Sequence, residues 1–254
     1  MKIVAFIPAR YDSTRFPGKP LARIAGKSMI ARVYQCALSC SDISDVHVAT
    51  DDERIFRCVQ EFGGKAVMTG RNHPSGTDRV AEAAQKLGLK GDDIVINIQG
   101  DQPAFQPSPI SRMIEPLLED RAIPMTTLMH RITDAAEVHH PNVVKLVTDN
   151  QGFALYFSRS PIPFFRDADV RQTHYKHLGF YGYRMAFLTT FARLPVGVLE
   201  SAEKLEPLRF LENGYRIKVV ESSHDSIEID TENDIKKIEH YLSESSLSTN
   251  TVVQ

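Results

Sequence analysis

The chain has 254 residues, 42% hydrophobic and 24% charged, a globular composition for one domain or one core with an added lobe. With 30 lysines and arginines against 32 acidic residues the formal charge is −2, which disfavours a strongly basic nucleic-acid binder. No apolar run reaches the about 18 residues of a membrane helix, the apolar core of MKIVAFIPARYDSTRF is too short for a signal peptide, and three cysteines point to a reducing cytoplasm rather than a disulfide framework.

Ile3 to Ile7 is a short β-rich run that stops at Pro8. Met29, Ile30, Val33, Cys36, Ala37 and Cys40 then recur at helical spacing. Val46 to Ala49 reads as a second strand. Ile55, Phe56, Val59 and Phe62 make the next helical stripe, ended by Gly63 and Gly64. Val80, Ala83, Ala84 and Leu87 make a third, closed by Gly88. Ile94 to Ile98 is apolar without alternation, as in a strand buried on both faces. The pattern predicts a Rossmann-like α/β fold, with a mainly parallel central sheet and helices on both faces. Farther on, 125–129, 143–147, 153–157 and 178–183 read as strands with little helix between them, so a smaller antiparallel lobe is expected. One helix is expected over 203–213, with Pro207 in its first turns. Another follows Thr231, with Asp234 at capping-box spacing. The polar tail SESSLSTNTVVQ reads as frayed. There is no internal repeat and no linker that clearly divides the chain.

In open parallel sheets, ligands bind beyond the carboxyl ends of the strands. After the first strand comes Arg10-Tyr-Asp-Ser13-Thr14-Arg15-Phe-Pro-Gly18-Lys19. After the second comes Thr50-Asp51-Asp52, and after the fourth apolar run Gln99-Gly100-Asp101-Gln102-Pro103. These three ends should lie side by side. Cations, hydroxyls and loop N–H groups hold a triphosphate and offset charge on a leaving pyrophosphate; the plain alternative is a solvated basic loop. Gly26-Lys27-Ser28 is no Walker loop, since Leu21 stands where glycine is needed, and no GxGxxG follows a strand. Asp101 is well placed for Mg²⁺, though a turn aspartate is the plain reading. Asp230 ends another strand-like run and could converge on it. Asp51 and Asp52 read first as helix caps. Cys36, Cys40 and Cys58 read as core packing. His139 and His140 read as loop, and His174 with His177 lacks further ligands at zinc spacing. Tyr181 and Tyr183 share one strand face.

IPARYDSTRFPGKPL, ATDDERI, SGTDRVAEA, VINIQGDQP, PNVVKLV, ALYFSRSPIPF, YKHLGFYGYR and KLEPLRFLENG occur in that order. Together they resemble the 3-deoxy-manno-octulosonate (KDO) cytidylyltransferase, or CMP-KDO synthetase, family from about residue 2 to residue 242. The resemblance implies a nucleotidyltransferase fold and the reaction CTP + KDO → CMP-KDO + pyrophosphate with Mg²⁺. It also implies a cytoplasmic homodimer serving lipopolysaccharide biosynthesis, with no nucleic-acid or membrane partner. It makes 1–242 a single nucleotidyltransferase domain, mainly nucleotide-binding over 1–125 and mainly sugar-binding and dimer-forming over 126–225, with a flexible tail at 243–254.

By the same resemblance Arg10, Ser13, Arg15 and Lys19 match the loop that grips the nucleotide phosphates, and Ser75 and Arg79 lie near the cytosine and ribose. Asp101 and Asp230 match the magnesium carboxylates. Gln99, Arg159, His177, Tyr181 and Glu206 match the sugar-acid pocket. Arg15, Lys19 and Asp101 carry the catalytic roles. Three departures stand out. Gln102 replaces the glutamate of QGDEP, Asp225-Ser-Ile-Glu-Ile-Asp230 replaces a run ending PPGVD, and Pro207 replaces the glutamine of LEQLR. The first two resemble a subgroup that activates 8-amino-3,8-dideoxy-manno-octulosonate. A nine-carbon sialic acid as acceptor and a catalytically silent nucleotide-binding module are the other readings.

Overall fold

A computed structural model describes residues 1–12, 16–167 and 172–249. The chain divides into two compact units. The N-terminal unit holds Val4–Leu87, Asn97–Pro107 and the chain from Ser226 on; the central unit holds Met1–Ile3, Gly88–Ile96 and Ser108–Asp225.

The N-terminal unit starts on β1 (Ile3–Ala9), whose residues Val4 to Ile7 are buried. A 3-10 turn at Lys19–Leu21 leads to a hairpin of β2 (Arg23–Ile24) and β3 (Lys27–Ser28). Ala25 and Gly26 form its turn at φ 43° and 81°, the doubly positive pair that a two-residue hairpin asks for. That turn accounts for Gly26-Lys27-Ser28. Then come α1 (Met29–Leu38), β4 (Asp45–Thr50), α2 (Glu53–Glu61), β5 (Ala66–Met68) and α3 (Gly76–Lys86). β4 runs parallel to both β1 and β5, with Thr50 opposite Ala9 and opposite Met68. Parallel neighbours need a crossover, and α1 and α2 supply it while burying Met29, Ile30, Val33, Ile55 and Val59. Asp52 caps α2 by accepting from Arg54 N at 2.9 Å, and Gly63 follows its end at φ 79°, as the sequence leads one to expect.

β6 (Ile94–Ile98), buried at all five residues, runs from the central unit into the N-terminal one. Next is α4 (Pro107–Glu119), which the periodicity reading does not find because Pro107, Pro109 and Pro116 interrupt it. The first two prolines fall in the opening turn, where no intrahelical N–H is needed, while Ile110, Met113, Ile114 and Leu117 are buried.

The central unit continues with β7 (Met125–Arg131), α5 (Ala135–His139), β8 (Lys145–Thr148), β9 (Ala154–Ser158) and β10 (Tyr175–Arg184). It closes with α6 (Met185–Phe191), α7 (Val198–Glu203), α8 (Pro207–Glu212) and β11 (Lys218–Glu221). β10 is antiparallel to β7 and β8, β8 is antiparallel to β9, and β11 is parallel to β7. The expected antiparallel part is therefore present. His139 closes α5 rather than lying in a loop. The helix expected over 203–213 is α8, which starts later, with Pro207 in its first turn as expected; α7, before it, is not among the expected elements and ends where Lys204 turns left-handed at φ 56°.

The last element, α9 (Glu232–Thr249), packs Ile238 with Ile229, Phe16, Ile24 and Met29 in the N-terminal unit. It is started as expected: Asp234 Oδ2 accepts from Thr231 N and Thr231 Oγ1, both at 2.9 Å. Residues 243–249 continue it. Among the described residues no helix is long and apolar enough to cross a membrane.

Candidate active site

Two glycines bring the chain after β1 and the turn after β6 together within the N-terminal unit. Gly18, at φ 72°, donates its N–H to Tyr11 O at 2.9 Å, and a Cβ there would stand 3.2 Å from the Tyr11 ring. This fold-back starts the 3-10 turn that carries Lys19. At Gly100 a Cβ would lie 3.0 Å from Pro8 O, so only a bare Cα lets this turn approach the end of β1. Lys19 and Asp101 then meet: Nζ donates to Asp101 Oδ2 at 2.7 Å and to Ile229 O at 2.6 Å.

The same turn gathers carboxylates. One ligand oxygen each from Asp101, Glu228 and Asp230 lies within 4.8 Å of the others. Asp101 thus pairs with the Lys19 ammonium and also belongs to a cluster of three carboxylates, whose mutual repulsion favours a further cation. Asp101 Oδ1 is buried and has no hydrogen-bond partner among the described residues. An orphaned carboxylate oxygen among hard oxygen donors suits a divalent metal ion, so these residues fit one. Asp101 and Asp230 are the pair expected from the sequence; Glu228 is an addition. Its signal was there in the alternation Ser226-Ile227-Glu228-Ile229-Asp230, where the isoleucines pack into the core cluster around Phe16 and Met29.

The other expected nucleotide residues are placed as follows. Ser13 and Arg15 lie outside the described residues. Arg10 is exposed just beyond β1. Ser75 caps α3, accepting from Asp78 N at 3.2 Å and donating to Asp78 Oδ2 at 2.7 Å. Arg79 is buried on the same helix; its Nη1 donates to Thr69 Oγ1 at 2.6 Å and stands 3.3 Å from Asp51 Oδ1. Asp51 therefore does more than precede a cap. Gln99 Nε2 reaches Asn97 Oδ1 at 3.5 Å. Gln102 is buried and accepts from Ser226 Oγ at 2.8 Å, so two of the departures from the family pattern touch each other.

Arg159, His177, Tyr181 and Glu206 lie in the central unit. Thr127 Oγ1 donates its one proton to Phe180 O at 2.7 Å, so toward His177 Nε2, 3.0 Å away, it can only accept. His177 therefore carries hydrogen on Nε2 and keeps Nδ1 as an acceptor. Burial pushes its pKa down to about 3, leaving the ring neutral at ordinary pH. Its ring sits 5.2 Å from Phe157 and 5.3 Å from Tyr181, which in turn stacks on Tyr183 at 6.0 Å. Phe180 can accept from Thr127 because the β10–β7 pairing shifts register between Leu178 and Tyr181. Arg159 Nε donates to Glu203 O at 2.6 Å and Nη1 to Pro141 O at 2.9 Å. Glu206 is half-buried at the start of α8.

Cys36 and Cys40 behave as packing. Burial raises the Cys36 thiol and pushes that of Cys40 up to about 12, far from the thiolate that metal or redox chemistry needs.

A family model described as cytidylyltransferase matches residues 4–222. The 3-deoxy-manno-octulosonate cytidylyltransferase of Syntrophus aciditrophicus is 53% identical over 241 residues, 95% of this chain and 97% of the relative. The enzyme of the same name from Desulfosudis oleivorans is 54% identical over 239 residues, 94% of this chain and 96% of its own. A solved structure of CMP:2-keto-3-deoxy-manno-octonic acid synthetase complexed with CTP superposes with a TM-score of 0.90 at 42% identity, covering 96% of this chain and 100% of that one. A cytidylyltransferase from Leptospira borgpetersenii, 15% identical with a TM-score of 0.63 over 96% of this chain and 87% of its own, shares the fold. Identity at this level, running almost end to end through both partners of each close pair, places the chain: it belongs to the cytidylyltransferase family, among the 3-deoxy-manno-octulosonate cytidylyltransferases.

Proposed function

We propose that this protein activates KDO with CTP, releasing CMP-KDO and pyrophosphate, and that it uses Mg²⁺. The observation that carries the reading is the cluster of Asp101, Glu228 and Asp230, with Lys19 bonded to Asp101, in a chain whose relatives bear this activity in their names. The anomeric hydroxyl of the sugar attacks the α-phosphorus in line; the new O–P bond forms as the bond to the β-phosphate oxygen breaks. Asp101, Glu228 and Asp230 would hold the Mg²⁺, which when bound would lower the pKa of that hydroxyl and screen two anions from each other.

Lys19 has three N–H donors. Two serve Asp101 and Ile229, and the third faces the charge gathering on departing pyrophosphate. Arg15, Arg10 and Ser13 join it on the phosphates in this reading, and Ser75 and Arg79 serve the nucleoside. The neutral His177 offers Nδ1 to a sugar hydroxyl, with Tyr181, Arg159, Glu206 and Gln99 completing the sugar set. Positioning supplies much of the remaining acceleration. The protein acts in the cytoplasm as a homodimer, on the way to lipopolysaccharide, as the family resemblance implies.

The test is pyrophosphate release from CTP and Mg²⁺ with KDO, with its 8-amino analogue and with a nine-carbon sialic acid, side by side. KDO should give the highest kcat/KM. A higher value with the 8-amino sugar moves the substrate assignment, and no release with any sugar refutes the enzyme reading.

A further inference from the structure

Glu228 stands between two fixed points. On its far side, Ile229 N donates to Asp101 O at 2.9 Å, Ile229 O accepts from Lys19, and the Ile229 side chain is fully buried. Beyond that, Asp234 Oδ2 accepts from Asp230 N at 3.2 Å. On its near side the backbone is irregular from 225 to 230. There Ser226 Oγ donates to Gln102 Oε1 at 2.8 Å, and Gln102 is only 3% exposed. Ile227 and Ile229 pack inward, and between and after them Glu228 and Asp230 turn toward Asp101. The Gln102 bond is thus anchored one residue beyond Asp101 and two residues before Glu228.

We propose that Gln102 and Ser226 are positioning residues that keep Glu228 in register with Asp101 and Asp230 for capture of a divalent cation. The bond acts on Glu228 because the C-terminal half of the segment is already held by Ile229 and Asp234. Without it, Ser226 loses its bond to the Gln102 side chain in the turn after β6, while the Ile229–Asp101 and Asp230–Asp234 bonds stay in place. This inference rests on the functional reading above only in naming the cation as the one used in turnover.

The test is a titration of the nucleotide-free full chain with Mn²⁺ alone, following free Mn²⁺ by its paramagnetic signal. Ser226→Ala and Gln102→Met should each weaken binding about fivefold, the double variant no more than either alone, and Ser226→Thr should restore it. In a Glu228→Gln background, Ser226→Ala should add nothing, an outcome that general loosening of the fold would not give. In turnover, the Mg²⁺ concentration for half-maximal rate should rise by the same factor while KM for KDO holds. The proposal is overturned by unchanged Mn²⁺ binding in Ser226→Ala, by an equal further loss in the Glu228→Gln background, or by a wild-type chain that does not bind Mn²⁺. Because the titration needs neither CTP nor sugar, a wild-type protein that binds Mn²⁺ but releases no pyrophosphate would refute the functional reading and leave this one standing.

Discussion

Lys19 Nζ bridges the Asp101 carboxylate and the Ile229 carbonyl, at 2.7 and 2.6 Å, and so ties together three stretches of sequence. Its charge offsets one carboxylate of the cluster, and in the proposed reaction its remaining donor stabilises the leaving pyrophosphate. Lys19→Met should therefore lower kcat about a hundredfold, the scale on which a lost electrostatic donor acts. Asp101→Asn should abolish turnover while circular dichroism shows an intact fold, because the amide keeps the shape and loses the charge. Near-normal pyrophosphate release by Asp101→Asn at saturating Mg²⁺ would remove Asp101 from the metal role.

The legible part of this protein was the part written in uninterrupted patterns. β1, β4 and β6 are short buried runs broken only by His47 and Asn97 between their apolar residues, and α1 to α3 carry apolar stripes, the last two closed by glycine, so the N-terminal α/β pattern could be read directly. α4 was hidden because three prolines disrupt its propensity while burial against the core sustains it. The break between α7 and α8 turns on Lys204, a left-handed residue of a type that seldom takes that conformation. Lys19, Asp101 and Asp230 could be singled out by their places after strands; their meeting could not, since Lys19 and Asp101 are 82 positions apart. The tautomer of His177 depends on Thr127, 50 positions away, and its neutral state on the desolvation of the ring.

Acid should expose His177. An unfolded histidine takes up its proton below about pH 6.5, the folded one only near pH 3. Between those values the unfolded chain binds more protons, so the stability that His177 contributes is full above pH 6.5 and is lost as pH falls. Glu82 acts lower down. Burial raises its pKa, but Lys86, the Gly70 N–H and His73 outweigh that and bring it to about 2 from 4.5, so its share is lost as pH falls from about 4.5 toward 2. Urea midpoints measured from pH 7 to pH 5 should fall less steeply for His177→Gln than for wild type, and no less steeply for Glu82→Gln. An unchanged slope in His177→Gln would contradict the buried, neutral ring.

Lys145 tests what a buried ammonium contributes to the fold. It is fully buried, and its Nζ donates to His140 O, Val143 O and Arg159 O at 3.1, 2.6 and 2.5 Å. Burial, then the Arg159 charge, lowers its pKa, yet three carbonyls use all three of its N–H groups. Lys145→Met keeps the length and strands those acceptors. The expected loss is about 3 kcal/mol, seen by calorimetry as a drop of roughly 6–12 °C in Tm. A Tm within 2 °C of wild type, on the order of ±1 kcal/mol, would show that the carbonyls find water instead.

The pair Glu200–Arg209 joins α7 to α8 through two parallel bonds, Nε to Oε2 and Nη2 to Oε1, each 2.6 Å long. Both side chains are less than a tenth exposed, and the guanidinium lies 4.3 Å from the centre of the Phe191 ring. Desolvating two charges offsets much of their attraction, so the intact pair contributes little net stability, whereas removing one partner leaves a buried charge alone. Glu200→Gln should therefore cost about 3–5 kcal/mol. The double variant Glu200→Leu, Arg209→Met should recover most of that loss, because both charges go together. The two short helices flank Glu206, so the double variant also separates stability from activity: if it folds as well as wild type yet has a raised KM for the sugar, the pair holds Glu206 in place, and if KM is unchanged the pair is purely a fold contact.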